Sequence, residues 1–444
     1  EKSILLVPEQ FTSSTEGRIY RELGDALSGM VESFSFTSLA EKILSTEGGA
    51  AVQTLSDAGR AVLVRRALEE LQDNVHYYHR HRRSAAFCQM AAQTIDELKS
   101  AGLSGQQLAQ LAGACGAESG KLSELALIFQ GYETLLARSG MDPSDRLELA
   151  RARLEEALAR HSLPEFLRDR AVFIDEFDTF NAPKKRLLGA MLAALPSVTV
   201  ALCDDGAPLL PGDLSLFSGA KQVAAQLRQL ARKNGAEVAV PQLLRKDLRH
   251  RNAPGLAAVA ELLETGSCTA DAPAGEVRLF AAPSREEEAR AAAGAIRRLM
   301  RQGVRCGKIA VVCRDIAKYR AAVRYEFRMA EIPLYCDEPT TPEFSAPATA
   351  VRALLEIARG ADLTENLTTL AKTGLCALSE EQVCALENYA YTWAPTAAAW
   401  REKFERSPKG FGEQELTEED LRNRERAEHA RALLVGAVDA FRAK

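Results

Sequence analysis

Short apolar runs punctuate this chain at wide intervals, and helical patterning fills the space between them. Ile4-Leu5-Leu6-Val7 ends at Pro8, Ala171-Val172-Phe173-Ile174 ends at Asp175, and Val198-Thr199-Val200-Ala201-Leu202 ends at Cys203-Asp204. Each run is short and nearly continuous, which predicts strands covered on both faces of a mostly parallel α/β sheet. Between the first two runs no strand signal occurs. Ala61, Val64, Leu68 and Leu71 recur there at helical spacing, followed by Ile95 and Leu98, then Leu125, Ile128, Tyr132 and Leu135. A stretch of about a hundred residues cannot be a structureless loop, so a helical insertion between strands of one sheet is expected.

Gly266 to Gly275, rich in Thr, Ala, Pro and Gly, reads as a linker. A second α/β unit then begins with a strand at Val277-Arg278-Leu279-Phe280 and a helix capped by Ser284 that runs through Arg301. Glu286, Glu287 and Glu288 occupy its first turn, where carboxylates meet the positive end of the helix dipole. Ala289, Ala292, Ala293, Ile296, Leu299 and Met300 supply its apolar stripe. A further strand, Ile309-Ala310-Val311-Val312, ends at Cys313-Arg314, and from about Leu363 only helices are legible. The expected division is therefore an α/β domain from 1–60 and 166–262, its helical insertion at 61–165, a second α/β domain at 270–362, and a helical segment at 363–444.

The 444 residues suit two to four domains of ordinary size. With 46% apolar and 26% charged residues and a net charge of -5, the chain is no wholesale polyanion binder. Any nucleic-acid contact must come from local basic surface. Nine cysteines are scattered without a CxxC pair, which fits reduced thiols in a cytoplasmic protein rather than a zinc site or a disulfide scaffold. No apolar run is long enough to span a membrane, so no membrane association is expected. The chain opens without a methionine, already inside a strand-like run, and is expected to be a piece of a longer protein.

Asp175-Glu176 sits at the C-terminal end of a hydrophobic strand, the edge where open α/β sheets bind ligands. An aspartate there can hold Mg²⁺ on a nucleotide and a following glutamate can polarise water, although two acids also suit a solvated loop. No GxxxxGK followed by Ser or Thr occurs in these residues, so nothing here cradles the phosphates that Asp175 would serve. Pro8-Glu9-Gln10-Phe11-Thr12 could meet single-stranded DNA through Gln10, Thr12 and the Phe11 ring, or could simply start a helix. His76-Tyr77-Tyr78-His79-Arg80-His81-Arg82-Arg83 interleaves aromatics with cations, a pattern suited to a phosphate backbone with exposed bases and also to a solvated face. Lys184-Lys185-Arg186 and Arg245 to Arg251 are further basic patches. No metal site and no complete catalytic site is recognisable.

Taken in order, five segments resemble AddB subunits of bacterial helicase–nucleases. They are Ile4 to Thr12 with Phe34 to Ala40, Val172 to Phe180, Ile309 to Asp315, Ile332 to Asp337, and Leu386 to Tyr389 followed by Trp400. The resemblance implies two RecA-like domains of the superfamily 1 helicase type, each with a helical insertion. Val172 to Phe180 stands for a degraded Walker B strand, which makes Asp175, Glu176 and, in the second domain, Arg314 vestigial nucleotide-site residues. It further implies DNA contacts at Gln10, Thr12, Phe36, Phe173 and Phe180, and a segment from Phe36 to Glu41 used in reading the Chi recombination signal. Some relatives carry an arginine and a tryptophan at the positions of Ser38 and Glu41, which leaves the recognised sequence open. After Asp204 the run Asp205-Gly206-Ala207-Pro208 lacks the glutamine of an active helicase motif, which favours a non-translocating relative.

The family works as a heterodimer with AddA on single-stranded and double-stranded DNA in the bacterial cytoplasm. ATP and Mg²⁺ serve the complex, and a 4Fe–4S cluster sits in a nuclease domain that these residues do not include. The expected role is a non-catalytic, DNA-tracking and Chi-scanning part of an enzyme that resects double-strand breaks for homologous recombination. Two other readings stay open: an active superfamily 1 helicase ATPase whose phosphate loop lies outside these residues, and a partner-binding scaffold without DNA contact.

Overall fold

The computed structural model describes residues 2–116, 119–244, 248, 250–267, 276–336, 342–360, 363–412 and 415–443. The chain divides into two units, Glu1–Arg278 and Leu279–Lys444. Its fold is α/β, mostly helical, with one small parallel sheet.

In the first unit, β1 (Ser3–Leu6), β2 (Val31–Phe34), β3 (Ala171–Ile174) and β4 (Ser197–Val200) form a 4-stranded parallel sheet in the order β2-β1-β3-β4. β1 lies between β2 and β3, with Leu6 opposite both Phe34 and Ile174. The two apolar runs separated by the long helical stretch are thus neighbours in one sheet. β2 is a strand that apolar patterning did not predict, because Glu32 and Ser33 interrupt it. Its Glu32 is held instead by Arg170, 2.6 Å away, just before β3.

Strand side chains alternate between faces, and here one face is sealed. Ile4, Leu6, Val172 and Ile174 are buried against α2 (Phe36–Glu47), α7 (Pro143–Ala159) and α8 (Ala182–Ala194), which bring Phe36, Leu39, Ile43, Leu154, Leu187 and Met191. The other face differs from the expectation of strands covered on both sides. Leu5 is half-buried, and Phe173 is 43% exposed. The cause lies in α1 (Thr12–Ser28), the connection from β1 to β2. Its first turns are Thr, Ser and Glu, its path breaks at Gly24 (φ 70°), and Tyr20, Leu23 and Leu27 stay in solvent, so it supplies no continuous apolar stripe.

Between β2 and β3 stand α3 (Asp57–Glu70), α4 (Ala85–Ser100), α5 (Gly105–Ala112) and α6 (Ser119–Ser139), which build their own core ahead of α7. Ser56, Ser84 and Ser104 cap three of these helices by accepting a backbone N–H. Val64, Leu68, Ile95, Ile128, Tyr132 and Leu135 form that core, with Ala61, Leu71, Leu98 and Leu125 packed at its margin. A polar network is buried beside it: Lys99 Nζ lies 2.7 Å from both Asp142 and Asp145, and the Tyr132 hydroxyl donates to Asp142 at 2.6 Å. After β4 come α9 (Ser218–Lys233) and α10 (Pro254–Thr265). Gly266, in the left-handed conformation, ends α10 by donating to the Leu262 carbonyl. Of the expected linker, residues 268–275 lie outside the described residues.

The second unit corrects the expectation of a second sheet. Neither Val277–Phe280 nor Ile309–Val312 forms a ladder among the described residues, and Leu279 and Val312 are 101% and 91% exposed. A parallel strand needs neighbours to take its N–H and C=O groups, and no strand is described from Leu279 onward. The helices do form. α11 (Arg285–Arg301) is capped by Ser284 and buries Ala289, Ala293 and Ile296 against α12 (Ile316–Met329). Leu299, expected in the same stripe, is 39% exposed. α13 (Ala346–Ala358), α14 (Leu363–Lys372), α15 (Glu380–Trp393) and α16 (Glu418–Arg442) close around Trp400, whose carbonyl accepts from the buried Arg431.

Candidate nucleic-acid interface

β1 sends its crossovers in opposite directions, to β2 on one side and eventually to β3 on the other. The C-terminal ends of β1 and β3 therefore flank a topological switch point, the place where open parallel sheets form a crevice. Three loops meet at this edge. Pro8–Thr12 follows β1, Ser35–Ser38 follows β2, and Asp175–Phe180 follows β3. Cross-links between them confirm the convergence. Val7 donates to Phe34 O and Asp175 to Leu6 O, and the Thr37 hydroxyl donates to Glu9 Oε1 at 2.8 Å.

Partial burial pushes the Glu9 carboxyl up. The Thr37 hydroxyl, nearby backbone N–H groups and the Lys184 charge outweigh it, holding the group below the usual carboxylate range. Gln10 is exposed beside it. Thr12 is half-buried and gives its hydroxyl hydrogen to Glu9 O at 3.2 Å, which leaves the oxygen able to accept.

Phe36 and Phe180, expected to offer stacking faces, are 1% and 2% exposed and belong to the core. Phe36 meets Phe177 edge-on at 5.3 Å and Phe180 at 6.0 Å, while Phe177 and Phe180 stack at 5.3 Å. Lys184 Nζ closes this aromatic group from above, 5.6 Å from the Phe36 ring and 5.4 Å from that of Phe177. Rings satisfied by rings and a cation present no face to a base. Phe173 is the exposed ring of the set, but it projects from the middle of β3 on the unsealed face rather than at the loop edge.

The two acids after β3 are held by protein groups. Asp175 Oδ1 accepts the backbone N–H of Glu176 at 2.8 Å, and Glu176, at φ 64°, pairs with Arg18 at 3.0 Å. With Glu176 engaged by Arg18 and Asp175 by the backbone of its own loop, neither acid as placed here is free to hold a nucleotide-bound Mg²⁺. Among the described residues, no group of three or more His, Cys, Asp or Glu is placed to hold a metal or a cluster. Arg314 is exposed and lies in the other unit. Glu41, at the end of the segment starting at Phe36, pairs with Arg146 of α7.

Of the basic patches, Lys185 hydrogen-bonds Gln226 at 2.7 Å and Arg186 pairs with Glu148, so Lys184 to Arg186 is largely engaged internally. Most of Arg245 to Arg251 lies outside the described residues. Patterning missed Lys184 and Arg18 as partners of the site. Their only signal is that each lies within a helix next to a strand-end loop.

The class defined by this arrangement is a parallel α/β domain with a polar, loop-built edge and a helical domain inserted between its strands. A family model described as "ADDB, N-terminal" matches residues 1–260, and the chain belongs to that family. Over 413 residues it is 32% identical to the B subunit of the ATP-dependent helicase/deoxyribonuclease of Desulforudis audaxviator, covering 89% of this chain and 34% of that protein. The protein of the same name from Symbiobacterium thermophilum is 32% identical over 422 residues, 90% of this chain and 35% of the relative. That of Clostridium perfringens strain 13 is 28% identical over 452 aligned positions, 99% of this chain and 38% of the relative. The chain thus spans about a third of the length of these curated relatives.

Proposed function

We propose that this chain is the non-catalytic, DNA-tracking and Chi-scanning portion of a heterodimeric ATP-dependent helicase/exonuclease. The enzyme resects double-strand breaks for recombination, and its other subunit, of the AddA type, supplies the motor. The proposal includes RecA-like ancestry for the α/β domain and for the segment from Leu279 onward, with the edge after β1 and β3 facing single-stranded DNA. Exposed Gln10 and the accepting hydroxyl oxygen of half-buried Thr12 contribute polar groups to base edges. Phe36, Phe177 and Phe180 support the loops from beneath.

The single observation that carries this reading is the convergence of the Pro8–Thr12 and Asp175–Phe180 loops at the switch point, with Glu176 taken by Arg18 rather than free for nucleotide chemistry. The names of the relatives support the parent activity. In the complete heterodimer, Gln10→Ala with Thr12→Val is expected to weaken the change of DNA degradation at Chi while leaving unwinding speed nearly unchanged. Unchanged Chi response would remove both residues from the site. Parallel loss of Chi response and unwinding would refute a scanning role separate from the motor.

A further inference from the structure

The loop from His76 to Arg83 joins α3 to α4 on the helical domain and shares no residue with the sheet edge. Its backbone is fixed from below by one side chain. Glu124 of α6 accepts the N–H groups of His76 at 2.8 Å, Tyr77 at 2.8 Å and Tyr78 at 3.2 Å. Burial would raise the Glu124 carboxyl, but these three donors outweigh it and hold the group below its usual range. Its oxygens are occupied by the loop backbone, and it forms no ion pair with Arg80, Arg82 or Arg83 among the described residues.

The inner side of the loop is packed. Val75 is 2% exposed and the half-buried Tyr78 has its ring 5.2 Å from Phe87, while His81, though exposed, reaches the same ring at 5.8 Å. The outer side is open: Tyr77 is 61% exposed, and Arg80 and Arg83 are exposed. The neighbouring arginines of α3 are all paired, Arg60 with Asp57 and Asp96, Arg65 with Glu69, and Arg66 with Glu70. No ion pair engages Arg80, Arg82 or Arg83 among the described residues. In a chain of net charge -5, three guanidinium groups without ion pairs share a pinned loop with Tyr77. The Tyr77 ring rests edge-on to Tyr78 at 5.0 Å and is otherwise exposed, and together these groups form a local cationic and stacking surface.

We propose that this loop is a second contact for single-stranded DNA, with Arg80 and Arg83 on phosphates and Tyr77 stacked on an unpaired base. The ring selects the single strand over the duplex, because a paired base offers it no free face. The proposal goes beyond the Chi-scanning edge and rests on that reading only in taking DNA as the ligand.

The test is fluorescence anisotropy of the 444-residue chain with labelled oligothymidylate and with duplex DNA across a salt series. Tyr77→Ala is expected to weaken single-strand binding about tenfold with duplex binding unchanged, within the range that stacking one base supplies. Arg80→Ala with Arg83→Ala should lower the slope of log K against log salt by about 1.4, as two phosphate contacts on a single strand require. Arg65→Ala, an ion-paired arginine of the same domain, should change neither. Photocrosslinking to a 5-bromouracil oligonucleotide should mark Tyr77. Wild-type binding by both loop variants overturns the inference and leaves the sheet-edge reading standing, and equal losses on duplex overturn the stacking. If the wild-type chain shows no salt-dependent binding, the loop inference and DNA contact by this chain fall together.

Discussion

Asp142→Asn removes one charge from the most buried polar network of the helical domain. Asp142 is 1% exposed and accepts from Lys99 and from Tyr132, while Lys99 is 10% exposed and also reaches Asp145. Asparagine keeps the volume and one acceptor oxygen, but its amide must point at Lys99, which only donates, or at the Tyr132 hydroxyl, which must then turn from donating to accepting. Breaking a buried pair costs about 3–5 kcal/mol when the survivor is left alone. Asp145 stays bonded to Lys99, so about 2–3 kcal/mol is expected here. Asp142 makes no side-chain capping bond to α7, and no capping loss adds to this.

The assay is hydrogen exchange read by mass spectrometry on peptides of α3, α4, α6 and α7. Their opening should rise about 30- to 140-fold, with α14 to α16 unchanged. Lys99→Met with Asp142→Leu should recover part of the loss, since replacing both partners removes the stranded charge. The pH dependence has a definite sign. Burial pulls the Lys99 pKa down, but Asp142 and Asp145 outweigh it and raise the pKa above its ordinary value. Burial and Asp142 likewise raise the Tyr132 phenol. Both contributions are full below the unfolded values near pH 10 and are lost as pH climbs through the folded ones. Exchange in these helices that is unaffected by Asp142→Asn would refute the network's role.

Two further substitutions test the packing that sets the site. Gly102 has φ +88°, and a Cβ there would lie 2.9 Å from the Ala182 Cβ at the start of α8, so Gly102→Ala should cost about 1–3 kcal/mol by thermal or denaturant unfolding. A change near zero would mean that α8 gives way. Phe180→Ala empties a site in the Phe36–Phe177–Phe180 group and should cost about 3–5 kcal/mol, with exchange rising in α2 and α8. A stable Phe180→Ala protein would show that the ring is not the core residue its 2% exposure indicates.

Strands announced by uninterrupted apolar runs were legible where a partner exists. β1, β3 and β4 coincide with runs ending at Pro8, Asp175 and Asp204, while β2 escaped detection because Glu32 finds Arg170 rather than solvent. Ile309–Val312 is as uniformly apolar as β3 and forms no strand, since β structure is a property of pairs and no neighbour is described. Helices fared better because their hydrogen bonds are internal. Ser284 and the stripe from Ala289 to Ile296 lie where periodicity and capping place them.

The site was legible in its topology and not in its side chains. That strand ends converge on one edge follows from parallel pairing alone, and Gln10, Phe36 and Glu176 all lie there. Which of them faces outward depends on neighbours far apart in sequence. Phe36 is enclosed by Phe177, Phe180 and Lys184, contributed across more than a hundred residues, whereas Phe173 is open because α1 lacks an apolar stripe to cover it. The exposed cations follow the same logic in reverse. Arg65 and Arg66 have glutamates four residues on, a spacing visible in the sequence that predicts neutralisation. Arg80, Arg82 and Arg83 have no acid at that spacing, and the Glu124 carboxylate is engaged by the loop backbone. Exposed guanidinium groups are hydrated at little cost, so their positive field stays available, and a phosphate ligand there would be read as a salt-dependent affinity.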